Sequence, residues 1–473
     1  MPKTFYLTTT LPYVNAEPHI GFALELVQAD AIARWRRLRG DEVFFNTGTD
    51  EHGLKIYRRA LQAGQEPQTY VDELVKSFFR LKHELGISCD NFVRTTDVHH
   101  QQAAQAFWLK CQAAGDIYKK NYQLKYCVGC ELEKTDSELS AGECPLHPGQ
   151  PVEILEEENY FFRFSRYAEP LLKLYQERPD FVLPNQRFNE VKKFVESGLQ
   201  DFSISRLADK LPWGVPVPGD PDHVMYVWFD ALVNYVSAVG WPDEVSRFEH
   251  WWPVVQFAGK DNLRQQAAMW QAMLLSAGLA PTRQILIHGF INSGGQKMSK
   301  SLGNVVNPFD LIETYGVDAL RYYLLRQVNS FEDSDFTPAG FKEIYNANLA
   351  NGLGNLASRV MRMAEANLPG TPDLATLIPE SYETALSGYQ FNQASDIVWA
   401  KIGELDRLIQ STEPFKLIKT DRAAAIEIIA ELVRGLHLVA LMLEPLLPAT
   451  ATRLHEIIRD NRMPERPLFP RQD

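Results

Sequence analysis

A Rossmann-like parallel α/β domain, carrying a small metal-stapled insertion and followed by an all-α bundle, is the architecture this sequence predicts. Three observations predict it. Residues 4–46 read as strand, loop, helix and strand; three cysteines and a histidine cluster between Cys127 and His147; and beyond Pro338 the chain has almost continuous helical periodicity.

Thr4 to Thr10 is a run of β-branched and aromatic residues, followed by a proline-containing loop that ends at Gly21. Leu24, Val27, Ala31, Trp35 and Leu38 then recur at three- and four-residue spacing, and Gly40 stands where a helix-terminating glycine belongs. Glu42 to Asn46 is the second strand. Such a βαβ opening places its ligand beyond the carboxyl ends of the strands, where TLPYVNAEPHIG and TGTDEHG both fall. From Tyr118 to Trp213 the pattern becomes short segments punctuated by Pro and Gly, read as an insertion. HVMYVWFDAL, VVQFAGKD and QILIHGFI then supply three more strand candidates, with a helix from Leu263 to Ser276. The expected division is residues 1–117 with 214–292 for the sheet domain, 118–213 for the insertion, 293–338 for a linking subdomain and 339–473 for the helical domain, itself broken by a Pro-rich link between Leu368 and Pro379.

At 473 residues the chain exceeds what one hydrophobic core normally organises. The N-terminus lacks a basic stretch followed by an apolar one, and apolar runs are of strand length or broken by charge, so a cytoplasmic protein without membrane spans is expected. A net charge of −12 excludes a surface coated with phosphate-binding residues but leaves room for a local basic patch.

Cys127-Val128-Gly129-Cys130 followed by Cys144-Pro145-Leu146-His147 has the spacing of a single tetrahedral zinc site. Three thiolates and one imidazole leave no open position for catalysis, so the metal is structural. Cys89 and Cys111 stand apart and read as small buried residues. Pro18-His19-Ile20-Gly21 lies at a helix start, where unpaired amides and the helix dipole favour phosphate. His19 can add a donor, and Gly21 lets a flat ring approach the backbone. Lys297 and Lys300, three apart after the Ser293-Gly294-Gly295 turn, can clamp a pyrophosphate leaving group.

Together the last two motifs resemble the HIGH and KMSKS signatures of class I aminoacyl-tRNA synthetases, and their order and spacing are similar to those of the methionyl-tRNA synthetase family. The likeness runs through TLPYVN, TGTDEHG, the Cys/His knuckle, YVWFDALVNY, GKD and HG, and covers the chain to about residue 360. It implies activation of L-methionine with Mg²⁺-ATP and transfer to the 3′ end of tRNA. It further implies His19, Gly21, Gly259, Lys260, Asp261, Lys297, Ser299 and Lys300 at the nucleotide, with Leu11, Tyr13, Asp50, Trp228, Ala231, Leu232, Tyr235 and His288 around methionine. In the helical domain Asn355, Arg359 and Phe415 would meet the anticodon. The absence of an appended dimerisation module suggests a monomer.

The chain departs from the family pattern at particular places. Phe22 stands where a second histidine is usual, Phe415 where tryptophan is usual, and Asp406 and Leu408 where asparagine and tyrosine are usual. These departures leave two other readings open: an adenylating paralogue with a small-molecule acceptor, and a non-catalytic RNA-binding relative. Retention of His19, Gly21, Asp50, Lys297 and Lys300 argues against the second.

Overall fold

The computed structural model describes residues 3–130, 132–134, 138–140, 142–298 and 303–472. The chain forms two compact units. The first comprises Met1–Pro18, Asp41–Arg80 and Cys89–Ile287, and the second His19–Gly40, Leu81–Ser88 and His288–Asp473. Among the described residues no helix is long and apolar enough to cross a membrane.

The first unit is built on a sheet of six strands among the described residues. We label β1 (Thr4–Thr8), β2 (Glu42–Thr49), β3 (Asn91–Arg94), β4 (Ile117–Cys127), β5 (Glu153–Phe162), β6 (Val182–Leu183), β7 (Val255–Gly259) and β8 (Gln284–His288). The sheet order is β3-β2-β1-β7-β8-β6. β1 runs parallel to β2 and β7, β2 to β3, and β8 to β6. Phe5, Tyr6 and Leu7 are consecutive and all buried, as expected of a strand covered on both faces. β2 and β3 approach so closely that a Cβ on Gly48 would sit 1.8 Å from the Val93 carbonyl oxygen. Only glycine fits there.

Two sequence expectations need correction. HVMYVWFDAL is not a strand of this sheet: Asp220–Met225 belongs to a separate antiparallel sheet, and Val227–Leu232 is helical. A short apolar run buried on every side has no period that distinguishes helix from strand. Two strands that the sequence reading did not list complete the sheet: β3, and β6, a two-residue segment ended by Pro184 and too short to give a pattern. β4 and β5 form an antiparallel ribbon, registered from Ile117 opposite Phe162 to Tyr126 opposite Glu153, and it carries Cys127 at its tip.

Helices needed below are α1 (Ile20–Leu38), α2 (Val98–Ala113), α3 (Val227–Leu232), α4 (Asn355–Asn367), α5 (Phe391–Thr412), α6 (Arg422–Leu443) and α7 (Pro448–Arg459). α1 ends as expected, with Gly40 at φ +82° and its N–H donating to Arg37 O. In the second unit α6 packs against α4, α5 and α7. The Pro-rich link falls between α4 and the helix Glu380–Ser387, where the sequence puts it.

The second unit is centred on a buried ion pair. Asp30 and Arg321, both fully buried, lie 2.8 Å apart. Asp30 also accepts from Arg34 Nε, Ser88 N and Ser88 Oγ, while Arg321 donates to the Leu446, Leu85 and Pro445 carbonyls. Burial pushes the Asp30 carboxyl up, but the Arg321 and Arg34 charges and the Ser88 hydrogen bonds outweigh it and hold the pKa below the ordinary value. Removing one partner strands the other charge. Arg321→Ala is therefore expected to cost about 3–5 kcal/mol in denaturant unfolding.

Candidate functional site

Beyond β1 and β2 the parallel pairing continues into the loops. Asp50 N donates to Pro12 O and Val14 N to Asp50 O, each at 2.9 Å, so that Tyr13 and Asp50 form an isolated parallel bridge. This pairing brings the first loop, with Leu11 and Tyr13, against Asp50. α3 supplies the opposite wall. Adjacent residues on a helix point about 100° apart. Phe229 accordingly turns into the core, edge-on to Phe107 and Trp108 of α2, while Trp228 borders a cavity of about 290 Å³.

Leu11, Tyr13, Asp50, Trp228, Ala231, Leu232 and Tyr235 all line that cavity, as does Asp261 at the end of β7. Thus the sequence-assigned amino-acid residues of the first unit come together with one of those assigned to the nucleotide. Gly259 closes β7, and Lys260 and Asp261 form the tight turn that follows. Sequence reading missed Asn15, Lys55, Asn234 and Gln266 on the same walls. Gln266 Nε2 donates to Tyr235 Oη at 2.8 Å while its Oε1 accepts from Gln256, which in turn accepts from Thr282. This buried amide chain orients the Tyr235 phenol, and no local motif announces it.

The remaining predicted residues lie in the second unit. His19 is the N-cap of α1, its Nδ1 accepting from Gly21 N at 3.0 Å. That bond leaves the proton on Nε2, making this atom a donor. A Cβ on Gly21 would meet His19 Cε1 at 2.9 Å, so glycine permits the capping geometry. Phe22 is half-buried in the first turn. Gly294 and Gly295, at φ +62° and +76°, form the two-residue turn of a hairpin that pairs Asn292 with Lys297. Lys297 places its ammonium 5.0 Å from the centre of the Phe290 ring. Ser299 and Lys300 lie outside the described residues. His288 directs Nε2 to Glu25 Oε2 (2.9 Å) and Nδ1 to Gly289 O (2.8 Å), so both ring nitrogens face acceptors.

In the helical domain Asn355 is exposed and Phe415 is 49% exposed. Arg359 donates to Asp406 at 2.9 Å, so the acid that replaces the usual asparagine engages the arginine assigned to the anticodon. Leu408 is half-buried.

Cys127, Cys130, Cys144 and His147 converge with their ligand atoms within 4.8 Å of one another. Tetrahedral zinc at its usual bond lengths would separate sulfurs by about 3.8 Å and sulfur from nitrogen by about 3.5 Å. Here Cys130 and Cys144 Sγ are 3.5 Å apart, and the three sulfurs lie 3.2–4.0 Å from His147 Nδ1. The donors therefore fit a closed four-coordinate site, and none of the cysteines is in a disulfide. Gly129 is required for it, because a Cβ there would come within 2.4 Å of the His147 ring. Cys111 is buried as expected, whereas Cys89 is partly exposed.

The family described as "tRNA synthetases class I (M)" matches residues 5–151 and 134–361. The chain is 42% identical to a methionine–tRNA ligase of Nostoc sp., over 96% of this chain and 89% of that protein. It is equally similar to one of Rhizobium meliloti, over 96% and 91%. A solved Mycobacterium tuberculosis methionyl-tRNA synthetase in complex with methionyl-adenylate superposes with a TM-score of 0.91 at 36% identity, covering 99% of this chain and 100% of the other. The free form of that synthetase gives 0.85 at 33%, covering 100% and 99%. A parallel sheet with a capped His-x-Gly helix start and a glycine-hairpin lysine is thus that of a class I aminoacyl-tRNA synthetase. Within that class the chain belongs to the methionyl-tRNA synthetase family.

Cys127→Ser and Gly129→Ala should each lower the metal content of purified protein, the first by removing a ligand and the second by displacing the His147 ring. Elemental analysis alongside thermal unfolding checks both, and chelation should lower the unfolding temperature of the wild type but not of Cys127→Ser.

Proposed function

We infer that this chain is a methionine–tRNA ligase that activates L-methionine with ATP and transfers it to the 3′ end of tRNA. The observation that carries this reading is the cavity where Asp50 meets an apolar slot of Leu11, Trp228, Ala231 and Leu232. A carboxylate suits an α-ammonium, and aromatic and aliphatic walls suit a thioether. The near-complete likeness to an adenylate-bound synthetase supports the same substrates.

In the first step the methionine carboxylate oxygen attacks the α-phosphorus, the bond to the bridging oxygen breaks, and pyrophosphate departs with its electron pair. Reactant positioning and charge stabilisation do most of this work. We assign His19 Nε2–H to phosphate and Gly21, which has no side chain, to the close approach of the nucleotide, and Lys297, Ser299 and Lys300 to the departing pyrophosphate. Gly259, Lys260 and Asp261 are assigned to the nucleoside, and Mg²⁺ accompanies ATP to neutralise its phosphates. In the second step a terminal hydroxyl of tRNA attacks the carbonyl carbon, the bond from that carbon to the phosphate oxygen breaks, and the hydroxyl proton passes to the departing AMP phosphate. Zinc is the metal that the knuckle's donors suit, with a structural role. Asn355, Arg359 and Phe415 are assigned to the anticodon, where Phe415 offers a stacking face. His288 is assigned to methionine by the family resemblance.

Asp50→Ala should abolish methionine-dependent exchange of pyrophosphate into ATP while the unfolding temperature stays close to that of the wild type. Near-normal exchange would remove Asp50 from the site. Phe22→His restores an imidazole beside the helix start and should raise the adenylation rate about tenfold, or about 1.4 kcal/mol, with little change in the methionine KM. Stopped-flow measurement of adenylate formation reads this directly; an unchanged or lower rate makes Phe22 a packing residue.

A further inference from the structure

Three consecutive polar residues, Asp50, Glu51 and His52, follow β2, and the first unit treats each differently. Asp50 lines the cavity. Glu51 is fully buried and its carboxylate is occupied by Arg94, Thr49 and Thr96, at 2.6–2.8 Å. His52, 3% exposed, turns away from the cavity and places Nδ1 2.6 Å from Oδ2 of Asp230 on α3. The other oxygen of Asp230 takes His100 Nε2 of α2, at 2.9 Å. Asp230 and His100 are completely buried, and none of the three residues lines the cavity.

Burying a carboxylate is costly, and here the cost is offset by an imidazole on each oxygen, an arrangement that holds only while that geometry is fixed. Asp230 lies between Trp228 and the Ala231-Leu232 pair, so fixing it fixes the helix face that walls the slot. His52 follows Asp50 by two residues, so fixing it fixes the loop opposite. Trp213 backs this loop, its ring edge-on to His52 at 5.3 Å and its Nε1 donating to Glu51 O at 2.6 Å. On the far side His100 Nδ1 pairs with Ser237 Oγ at 3.1 Å, and Asn234 Nδ2 donates to Ala231 O at 2.7 Å, extending the restraint into the turn that carries Tyr235. Burial raises the Asp230 pKa, but the His52 charge and the hydrogen bonds from both histidines outweigh it and hold it at about 2.

We propose that Asp230 is a positioning residue for the amino-acid slot, tying the Asp50 loop through His52 and the Trp228 helix through His100 into one rigid frame. The proposal rests on the reading of that slot as the methionine site. It assigns to this aspartate the spacing between the ammonium partner and the thioether wall, with no contact to substrate.

The test is methionine-dependent pyrophosphate exchange, with methionine and ATP varied separately, for the wild type, Asp230→Asn, His100→Gln and His100→Ala. An asparagine cannot accept from both histidines, so Asp230→Asn should raise the methionine KM on the order of tenfold and leave the ATP KM within about twofold. His100→Gln keeps an amide N–H near the position of Nε2 and should stay close to the wild type, whereas His100→Ala should follow Asp230→Asn. The histidine pair decides the matter should Asp230→Asn not fold. A lowered unfolding temperature with an unchanged methionine KM in Asp230→Asn, or in His100→Ala, reduces the network to core packing and overturns the proposal. Equal rises in both KM values also overturn it. If the wild type shows no methionine-dependent exchange, the reading of the slot fails and the proposal falls with it.

Discussion

Pairing of β1 with β2, carried past their ends to Tyr13 and Asp50, is the constraint on which the amino-acid slot depends. A parallel sheet brings the carboxyl ends of its strands to one edge, and there the backbone runs out of partners. In this chain the ladder does not stop where the strands do, because two further hydrogen bonds couple the first loop to the loop after β2. Both loops are thereby registered to each other as strands are. Loops held by backbone pairing lose little freedom on binding a small ligand, so more of the contact energy appears as affinity.

Much of this was legible, because some chemistry is local. The Cys-x-x-Cys and Cys-x-x-His spacings carry their own geometry, and the four ligands converge as the spacing requires. Gly40, Gly294 and Gly295 adopt the positive φ their positions suggested. The YVWFDAL segment was misread because burial on every side removes the contrast that periodicity needs. Asp230, His100, Gln256 and Gln266 were silent for a different reason. Their roles arise from partners elsewhere in the sequence, up to 178 residues away for Asp230 and His52, and a single buried polar residue in an apolar run carries no local signature.

The two units share a way of using buried charge. In the first, Glu51 and Asp230 are enclosed and satisfied on both oxygens; in the second, Asp30 and Arg321 are. Apolar replacements of such pairs are often no less stable, so stability alone does not account for them. Hydrogen bonds are directional where apolar packing is not. Asp30 faces Arg321, whose guanidinium reaches three carbonyls, and this fixes the angle of α1, the helix that His19 caps. Asp230 does the same for α3. In each case a charged hub on the same helix as residues assigned to substrate supplies orientation that packing would leave loose.

The lysine hairpin is built on the opposite principle. Lys297 projects, exposed, from a two-residue glycine hairpin with both turn residues at positive φ. A group with the role proposed for Lys297 would gain nothing from a rigid frame, since it would have to release pyrophosphate at each turnover. A slot for methionine, as proposed, would have to discriminate it from amino acids of nearly equal size, and one methylene in an apolar pocket is worth only about 1–3 kcal/mol. Such a margin survives only where the walls do not relax around the wrong side chain. Buried charge around the slot and bare glycine beneath the lysine are thus two answers to two demands of one reaction, selectivity before the phosphate is attacked and release after it.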